Sequence, residues 1–165
     1  MRNNNRNYNG FTTRTINING IYSDMKETLS KRAYFQQQQD NLWATIKRYH
    51  VDRSRQMDEI DEHIGKYTHE MNKLIGELCK YKKTHKAMNL AYDYLDKEII
   101  RIQRIIDSQN KLIYDVRMGR RGLINSNGVS HRDPSGLINY VAQKEIQMAK
   151  LKNWKSYVAR YREGW

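Results

Sequence analysis

A heptad pattern of apolar residues dominates the middle of this sequence. From Met57 to Val116, stepping alternately by three and four residues, sixteen of eighteen positions are apolar or aromatic, and the exceptions are His85 and Gln109. This spacing places one apolar stripe along a helix and is typical of helices that pack as coiled coils. The pattern therefore predicts an all-α protein with a coiled-coil-like seam.

The leading interpretation of this region is one long helix over residues 24–118. Asp24 and Glu27 resemble a capping box at its start, and no proline interrupts it. Gly65 and Gly76 occupy outward heptad positions, where they weaken a helix without interrupting its seam. The register is poorer upstream, in the segments FQQQQDN and HVDRSRQ. A kink or break near 50–56 is therefore the alternative to an unbroken helix.

A second helix is predicted over about 134–162. Asp133 can serve as its N-cap, with Pro134 at the first helical position. Folded back, it would cover about a third of the long helix, and the remaining seam needs a folded-back N-terminal helix or another chain. The predicted fold is an elongated helical hairpin, with residues 21–165 as a single helical domain. The seam residues expected to pack are Ile64, Met71, Leu78, Leu95, Ile99, Ile102, Ile106 and Ile113.

Basic charge is concentrated at the two ends of the chain. The net charge is +12; residues 1–56 hold ten Lys/Arg against four Asp/Glu, residues 57–118 are balanced, and residues 119–165 hold nine against three. Residues 1–20 are rich in asparagine and predict an extended arm. Basic ends of this kind contact nucleic acid, an anionic membrane or an acidic protein surface. The candidate contacts in the arm are Arg2, Arg6 and Arg14.

The segment GRRG lies between the two predicted helices. Arg120 and Arg121 can form bidentate contacts with phosphates, because guanidinium geometry suits them. The alternative is a helix C-terminus, with Gly119 after the last turn and arginines near the negative end of the helix dipole. Both interpretations are compatible, and Arg132 joins these candidate contacts at the far side of the loop.

The basic C-terminal segment KLKNWKSYVARYREGW is the other candidate interface. Interleaved aromatic and basic residues can bind single-stranded nucleic acid by stacking and phosphate contact. Their helical spacing equally allows Trp154, Tyr157 and Tyr161 to pack on the long helix. Arg160 and Arg162 are therefore the candidate contacts here.

No catalytic or metal-ligating set is recognised in the sequence. His131 and Asp133 lack a nucleophile arranged with a base and an orienting acid, and Asp133 is better explained as a cap. His63 and His69 are six residues apart, which is not a helical metal-ligand spacing. The single Cys79 excludes a cysteine-based zinc site. The chain is predicted to be no enzyme and to need no cofactor.

These observations predict a non-enzymatic structural component that bridges protein subunits of a large assembly through the heptad seam and the arm. A virus or phage particle is the favoured assembly, with the chain as a minor capsid or capsid-associated protein. The predicted location is thus the virion, or otherwise inside the cell. One alternative is a nucleic-acid-binding protein of a ribonucleoprotein or genome-packaging complex, and another is an accessory subunit of an organellar complex. No apolar run reaches membrane-spanning length, so an integral membrane protein is not expected.

Overall fold

The structure is a computed structural model that describes residues 17–125 and 127–164. These residues are mostly helical, which confirms the all-α class. The elements, in chain order, are α1 (Ile18–Tyr49), α2 (Ser54–Leu78), α3 (Lys86–Arg117), β1 (Leu123–Ile124), β2 (Ser130–His131) and α4 (Ser135–Ala159).

Helix α1 begins six residues before the predicted start at Asp24, so that prediction is wrong. The side-chain Oδ1 of Asn17 accepts the backbone N–H of Gly20 at 2.7 Å, and asparagine is among the preferred N-cap residues. Ile18 and Ile21 are buried, so the apolar face of α1 already begins in its first turn. The last residues of the predicted arm are therefore helical.

The remaining arm residues, including the candidate contacts Arg2, Arg6 and Arg14, lie outside the described residues. Their predicted roles stay predictions.

The predicted continuous helix over 24–118 is also wrong, because this stretch contains three helices. The first break, between α1 and α2, falls in the region 50–56 that the sequence indicated as the alternative. His50 ends α1 in the left-handed conformation, with a φ of 53°. Asp52 Oδ1 then accepts the N–H of Ser54 at 3.0 Å, which fixes the start of α2.

The second break, over residues 79–85, was not predicted. After α2, the N–H groups of Lys80 and Tyr81 bond to carbonyls three residues back, which tightens the last turn. His85 Nδ1 accepts the N–H of Ala87 at 3.0 Å and so caps the start of α3. Histidine is not a typical capping residue, which is why the sequence alone did not indicate this break. The heptad pattern continues through the loop, but the helix does not.

The chain divides into two compact units, with the boundary between Ala87 and Met88. In the first unit, α1 folds back on α2 as an antiparallel pair. Arg32 Nε donates to Thr68 Oγ1 at 2.9 Å, and Gln39 Nε2 donates to Asp61 Oδ1 at 2.6 Å. The chain's own N-terminal helix thus supplies the partner that the seam of α2 requires. The prediction of a single domain over 21–165 is not tested by this division and stays a prediction.

In the second unit, the last turn of α4 and the segment after it contact the first turns of α3. Lys155 Nζ lies 2.7 Å from Asp96 Oδ1, and Asn89 Nδ2 donates to the carbonyl of Glu163 at 3.2 Å. These contacts run antiparallel, and α4 agrees closely with the return helix predicted over about 134–162.

Burial follows the heptad seam in both units. Of the eight predicted seam residues, six are buried and two are half-buried. The buried residues are Met71, Leu78, Leu95, Ile102, Ile106 and Ile113; the half-buried ones are Ile64 and Ile99.

Candidate functional site

The segment between α3 and α4 contains a β-hairpin, which the sequence interpretation treated only as a turn. Leu123 lies opposite His131, and Ile124 lies opposite Ser130, in an antiparallel pair. Asn125 organises the turn: its backbone N–H donates to the carbonyl of Val129, and its side-chain Oδ1 accepts the N–H of Val129 at 2.9 Å.

The local signal for this hairpin was Gly128. It has a φ of 77° and donates its N–H to the Asn125 carbonyl at 3.0 Å. A glycine at this left-handed position is characteristic of short hairpin turns.

Gly119 ends α3 as the sequence indicated. With a φ of 70°, it donates its N–H to the carbonyl of Val116, and the N–H of Arg120 reaches the carbonyl of Asp115 at 2.8 Å. This pair of hydrogen bonds defines a Schellman motif, which satisfies carbonyls at the helix end. The helix-end interpretation of GRRG therefore holds for the backbone, and it leaves the arginine side chains available for contacts.

The hairpin returns one of the predicted arginine contacts to the end of α3. One Nη atom of Arg132 lies 3.7 Å from the position that a Cβ atom on Gly119 would occupy, so Arg132 returns to the end of α3. Arg120 Nη1 lies 3.9 Å from Asp115 Oδ1 and its side chain remains mostly exposed. Arg121, the third candidate, is also exposed.

Tyr114 is the residue that sequence reasoning missed at this site. The Arg120 guanidinium lies 5.3 Å from the centroid of its ring, and the residue is 50% exposed. The available signal was its position directly after the seam residue Ile113, which turns its side chain away from the buried stripe.

His131 and Asp133 make local backbone contacts rather than a catalytic pair. Asp133 Oδ1 accepts the N–H of Ser135 at 3.0 Å, and this hydrogen bond lowers the pKa of the Asp133 carboxyl. The N-cap of α4 is Pro134 and not Asp133, so the predicted placement of Asp133 as the cap and Pro134 at the first helical position is wrong by one residue. The Nδ1 atom of His131 accepts the N–H of Asp133 at 3.2 Å. Both side chains thus organise the entry into α4.

The C-terminal candidates are placed differently from one another. The Arg162 guanidinium lies 3.7 Å from the centroid of the Tyr92 ring, an intramolecular cation–π contact, whereas Arg160 is exposed. Lys155 also lies over Tyr92, at 5.2 Å, and its hydrogen bond with Asp96 raises the pKa of the Lys155 ammonium. The positive charges of this segment are therefore partly engaged in holding α4 against α3.

The aromatic rings of the same segment are half-buried and contact neighbouring residues of that segment; their predicted packing on the long helix stays a prediction. The Tyr157 and Tyr161 rings lie 5.2 Å apart, and Trp154 is half-buried with the Lys150 ammonium 4.9 Å from its ring. These rings contact other residues of the chain rather than facing solvent freely.

The described residues offer few other candidate sites for a nucleophile, a metal ion or a membrane span. Burial raises the pKa of the Cys79 thiol to about 11, so this thiol is neutral at physiological pH. Within 17–125 and 127–164, no group of three or more His, Cys, Asp or Glu side chains could hold a metal ion. Over the same ranges, none of the helices combines the length and the apolar character needed to cross a bilayer.

No protein-family model matches this chain, no curated protein is significantly similar to it, and no solved structure matches it.

Proposed function

We propose that this chain is a non-enzymatic structural protein that joins subunits of a large assembly. The observation that carries the proposal is the apolar pair at the tip of the β-hairpin. Ile124 is 75% exposed and Val129 is 57% exposed; because Ile124 pairs with Ser130, the two side chains project from opposite faces of the hairpin. In the proposed assembly, another molecule covers these exposed aliphatic side chains.

The helices supply a second kind of contact in this proposal. Ile64 on α2 and Ile99 on α3 belong to the heptad seam but are only half-buried. In the proposed assembly, helices of neighbouring subunits complete the burial of these residues in coiled-coil-like packing. The isolated chain would accordingly leave part of its seam exposed.

A virus or phage particle is the assembly that we propose, with the chain as a minor capsid or capsid-associated protein. The asparagine-rich first 20 residues and the two basic ends of the chain support this proposal, because arms and basic segments suit contacts with neighbouring subunits or an enclosed genome. Quantitative mass spectrometry of purified, salt-washed particles would test it. A fixed stoichiometry with the major shell protein is expected, and loss of the chain on washing would contradict it.

Sedimentation velocity of the purified chain tests the structural role of the hairpin tip. We expect association that increases with concentration and decreases in the double variant Ile124→Ser and Val129→Ser. Asn139→Ser on α4, an exposed polar position, is the control and should associate like the wild type. Unchanged association in the double variant would remove the observation on which the structural proposal rests.

Nucleic-acid binding is the second candidate function. It is favoured by the exposed arginines at the end of α3 and in the loop that follows, Arg117, Arg120, Arg121 and Arg132. Binding by these residues would release counterions, so the affinity should fall steeply with salt and should weaken in the double variant Arg120→Ala and Arg121→Ala. If assembly is insensitive to salt and to this double change, nucleic-acid binding is contradicted and the structural role is the remaining candidate.

A further inference from the structure

Tyr114 and Arg120 form an exposed cation–π pair at the C-terminal end of α3. The guanidinium lies 5.3 Å from the ring centroid, and Tyr114 is half-exposed despite its large aromatic ring. Arg117 is three residues further along α3 and therefore projects from the same side of the helix. This arrangement presents the tyrosine ring and the Arg120 guanidinium to solvent beside a second guanidinium, that of Arg117.

The surroundings of this pair are positively charged. Residues 111–134 contain five Lys/Arg against two Asp, and one of these acids, Asp133, accepts the N–H of Ser135 at the start of α4. The other, Asp115, lies 3.9 Å from the Arg120 side chain. The β-hairpin returns Arg132 to Gly119, so charges that are twelve residues apart in sequence lie at the same helix end.

We infer that Tyr114, Arg117, Arg120, Arg121 and Arg132, which we call the loop-base patch, bind single-stranded nucleic acid. A base stacks on the Tyr114–Arg120 pair, because aromatic rings and guanidinium planes both stack with bases. The other arginines hold the flanking phosphates through bidentate hydrogen bonds. This inference rests on the nucleic-acid-binding candidate and specifies its site and its ligand.

The exposed ring decides between single strands and the other polyanions. An acidic protein surface would pair with the arginines but would gain little from stacking on Tyr114. A duplex also presents phosphates, but its base faces are stacked inside and do not reach a tyrosine on a helix surface. Only an unpaired strand uses both the ring and the charges.

The loop-base patch also suits base stacking better than the basic C-terminal segment does. There, the Tyr92 ring is covered by Arg162, and the Tyr157 and Tyr161 rings contact each other. Stacking a base on these rings would first break contacts within the chain. In the loop-base patch, the guanidinium lies farther from the ring, at 5.3 Å from the Tyr114 centroid, and Tyr114 is 50% exposed, so a base reaches this ring with less rearrangement.

Fluorescence anisotropy measures the Kd of the full chain for a fluorescein-labelled oligouridine of about 12 nucleotides. The measurement is repeated over a series of salt concentrations. Tyr114→Leu keeps an apolar side chain but removes the ring, and it should weaken binding roughly 10-fold. Tyr114→Phe should bind like the wild type. Tyr140→Ala is the matched control, because Tyr140 is also an exposed tyrosine with a cation, Lys144, over its ring at 5.3 Å.

Arginine variants and competing ligands provide the remaining measurements. Arg121→Ala or Arg132→Ala should each reduce the slope of log K against log salt by about 0.7. A duplex of equal length should bind Tyr114→Leu and the wild type equally, and polyglutamate should compete poorly with the oligouridine.

Three outcomes would overturn the inference, and they separate it from the candidate on which it rests. If the arginine changes weaken binding but Tyr114→Leu does not, stacking is refuted while nucleic-acid binding stands. If polyglutamate competes as well as the oligouridine, the patch is a site for an acidic protein. If the wild-type chain binds no oligonucleotide, the candidate and the site both fail. Circular dichroism melting of Tyr114→Leu confirms that its fold is retained.

Discussion

The guanidinium of Arg32 on α1 donates from Nε to Thr68 Oγ1 on α2 over 2.9 Å, in the interface between the two helices of the first unit. Arg32 is almost fully buried, and a charge in such a position is retained only when its donors have partners. Thr68 in turn donates its hydroxyl hydrogen to the carbonyl of Ile64 at 2.8 Å. This threonine therefore links a buried cation to the backbone of the facing helix.

Replacing this threonine should weaken the first unit. Thr68→Val keeps the side-chain shape but leaves Arg32 Nε without its acceptor, so the free energy of unfolding should fall by about 1–3 kcal/mol. Urea denaturation followed by circular dichroism measures the loss. Thr45→Val is the control, because Thr45 Oγ1 bonds only within α1, to the carbonyl of Asn41. Equal effects of the two changes would contradict a specific role for the interhelical hydrogen bond.

Two isoleucines on α3 test the burial of the heptad seam. Ile106 is 4% exposed, whereas Ile100, on the same helix, is 46% exposed. Ile106→Asp places an unpaired carboxylate in an apolar interface and should cost about 3 kcal/mol or more. Ile100→Asp should cost less than about 1 kcal/mol. Thermal melting that is equal for the two variants would show that the seam of α3 is not packed as described.

The conformation of Gly119 predicts opposite effects for two glycine substitutions. Gly119→Ala should reduce stability by about 1 kcal/mol, since a φ of 70° disfavours any residue with a Cβ atom. Gly65→Ala should increase stability by about 0.5–1 kcal/mol, because Gly65 lies inside α2 and a Cβ there would meet no other atom within 4 Å. Thermal denaturation of both variants measures these changes. A stabilising Gly119→Ala would argue against the Schellman ending of α3.

The half-buried thiol of Cys79 predicts a dependence of stability on alkaline pH. Burial raises the pKa of Cys79 in the folded state to about 11 from an ordinary value of 9.0, so the folded protein favours the neutral thiol. The resulting stability is complete below pH 9.0 and is lost as the pH rises through about 11. Alkylation by iodoacetamide should accordingly be slow in the folded protein at pH 8 and fast in urea.

Comparison with Cys79→Ser isolates this contribution from other groups that titrate at alkaline pH. The wild type should lose more stability than the variant between pH 9 and 11. Parallel pH profiles for the two proteins would mean that the thiol is not buried.

Features that depend on neighbouring residues in the sequence were largely predictable. Gly119 and Pro134 bracket the loop between α3 and α4, and Asp133 accepts a hydrogen bond from the first residue of α4, because turn and cap preferences act over a few residues. The heptad spacing likewise identified which side chains are buried, since it sets one face of each helix. Leu95 and Ile102, for example, are fully buried.

Local caps that the stronger heptad pattern outweighed, and contacts between positions far apart in the chain, were not predictable. The capping of α3 by His85 and the capping of α1 by Asn17 gave no pattern that competed with the heptad repeat. The stacking of Arg162 on Tyr92 joins positions far apart in the chain, so it converts a predicted surface contact into an internal one. The exposed Tyr114–Arg120 pair depends on how the chain leaves α3 at Gly119.

The sequence by itself determined that the chain is helical, which residues form the seam, and where its charge lies, because periodicity and composition are local properties. Only the tertiary structure decided how the repeat is divided. The break over residues 79–85 divides the apolar stripe between α2 and α3, and the turn at residues 50–53, which precedes the stripe, lets α1 cover α2. The tertiary structure likewise decided the conformation of the segment between α3 and α4, through its hydrogen bonds and strand register. These bonds make it a β-hairpin that returns Arg132 to the end of α3.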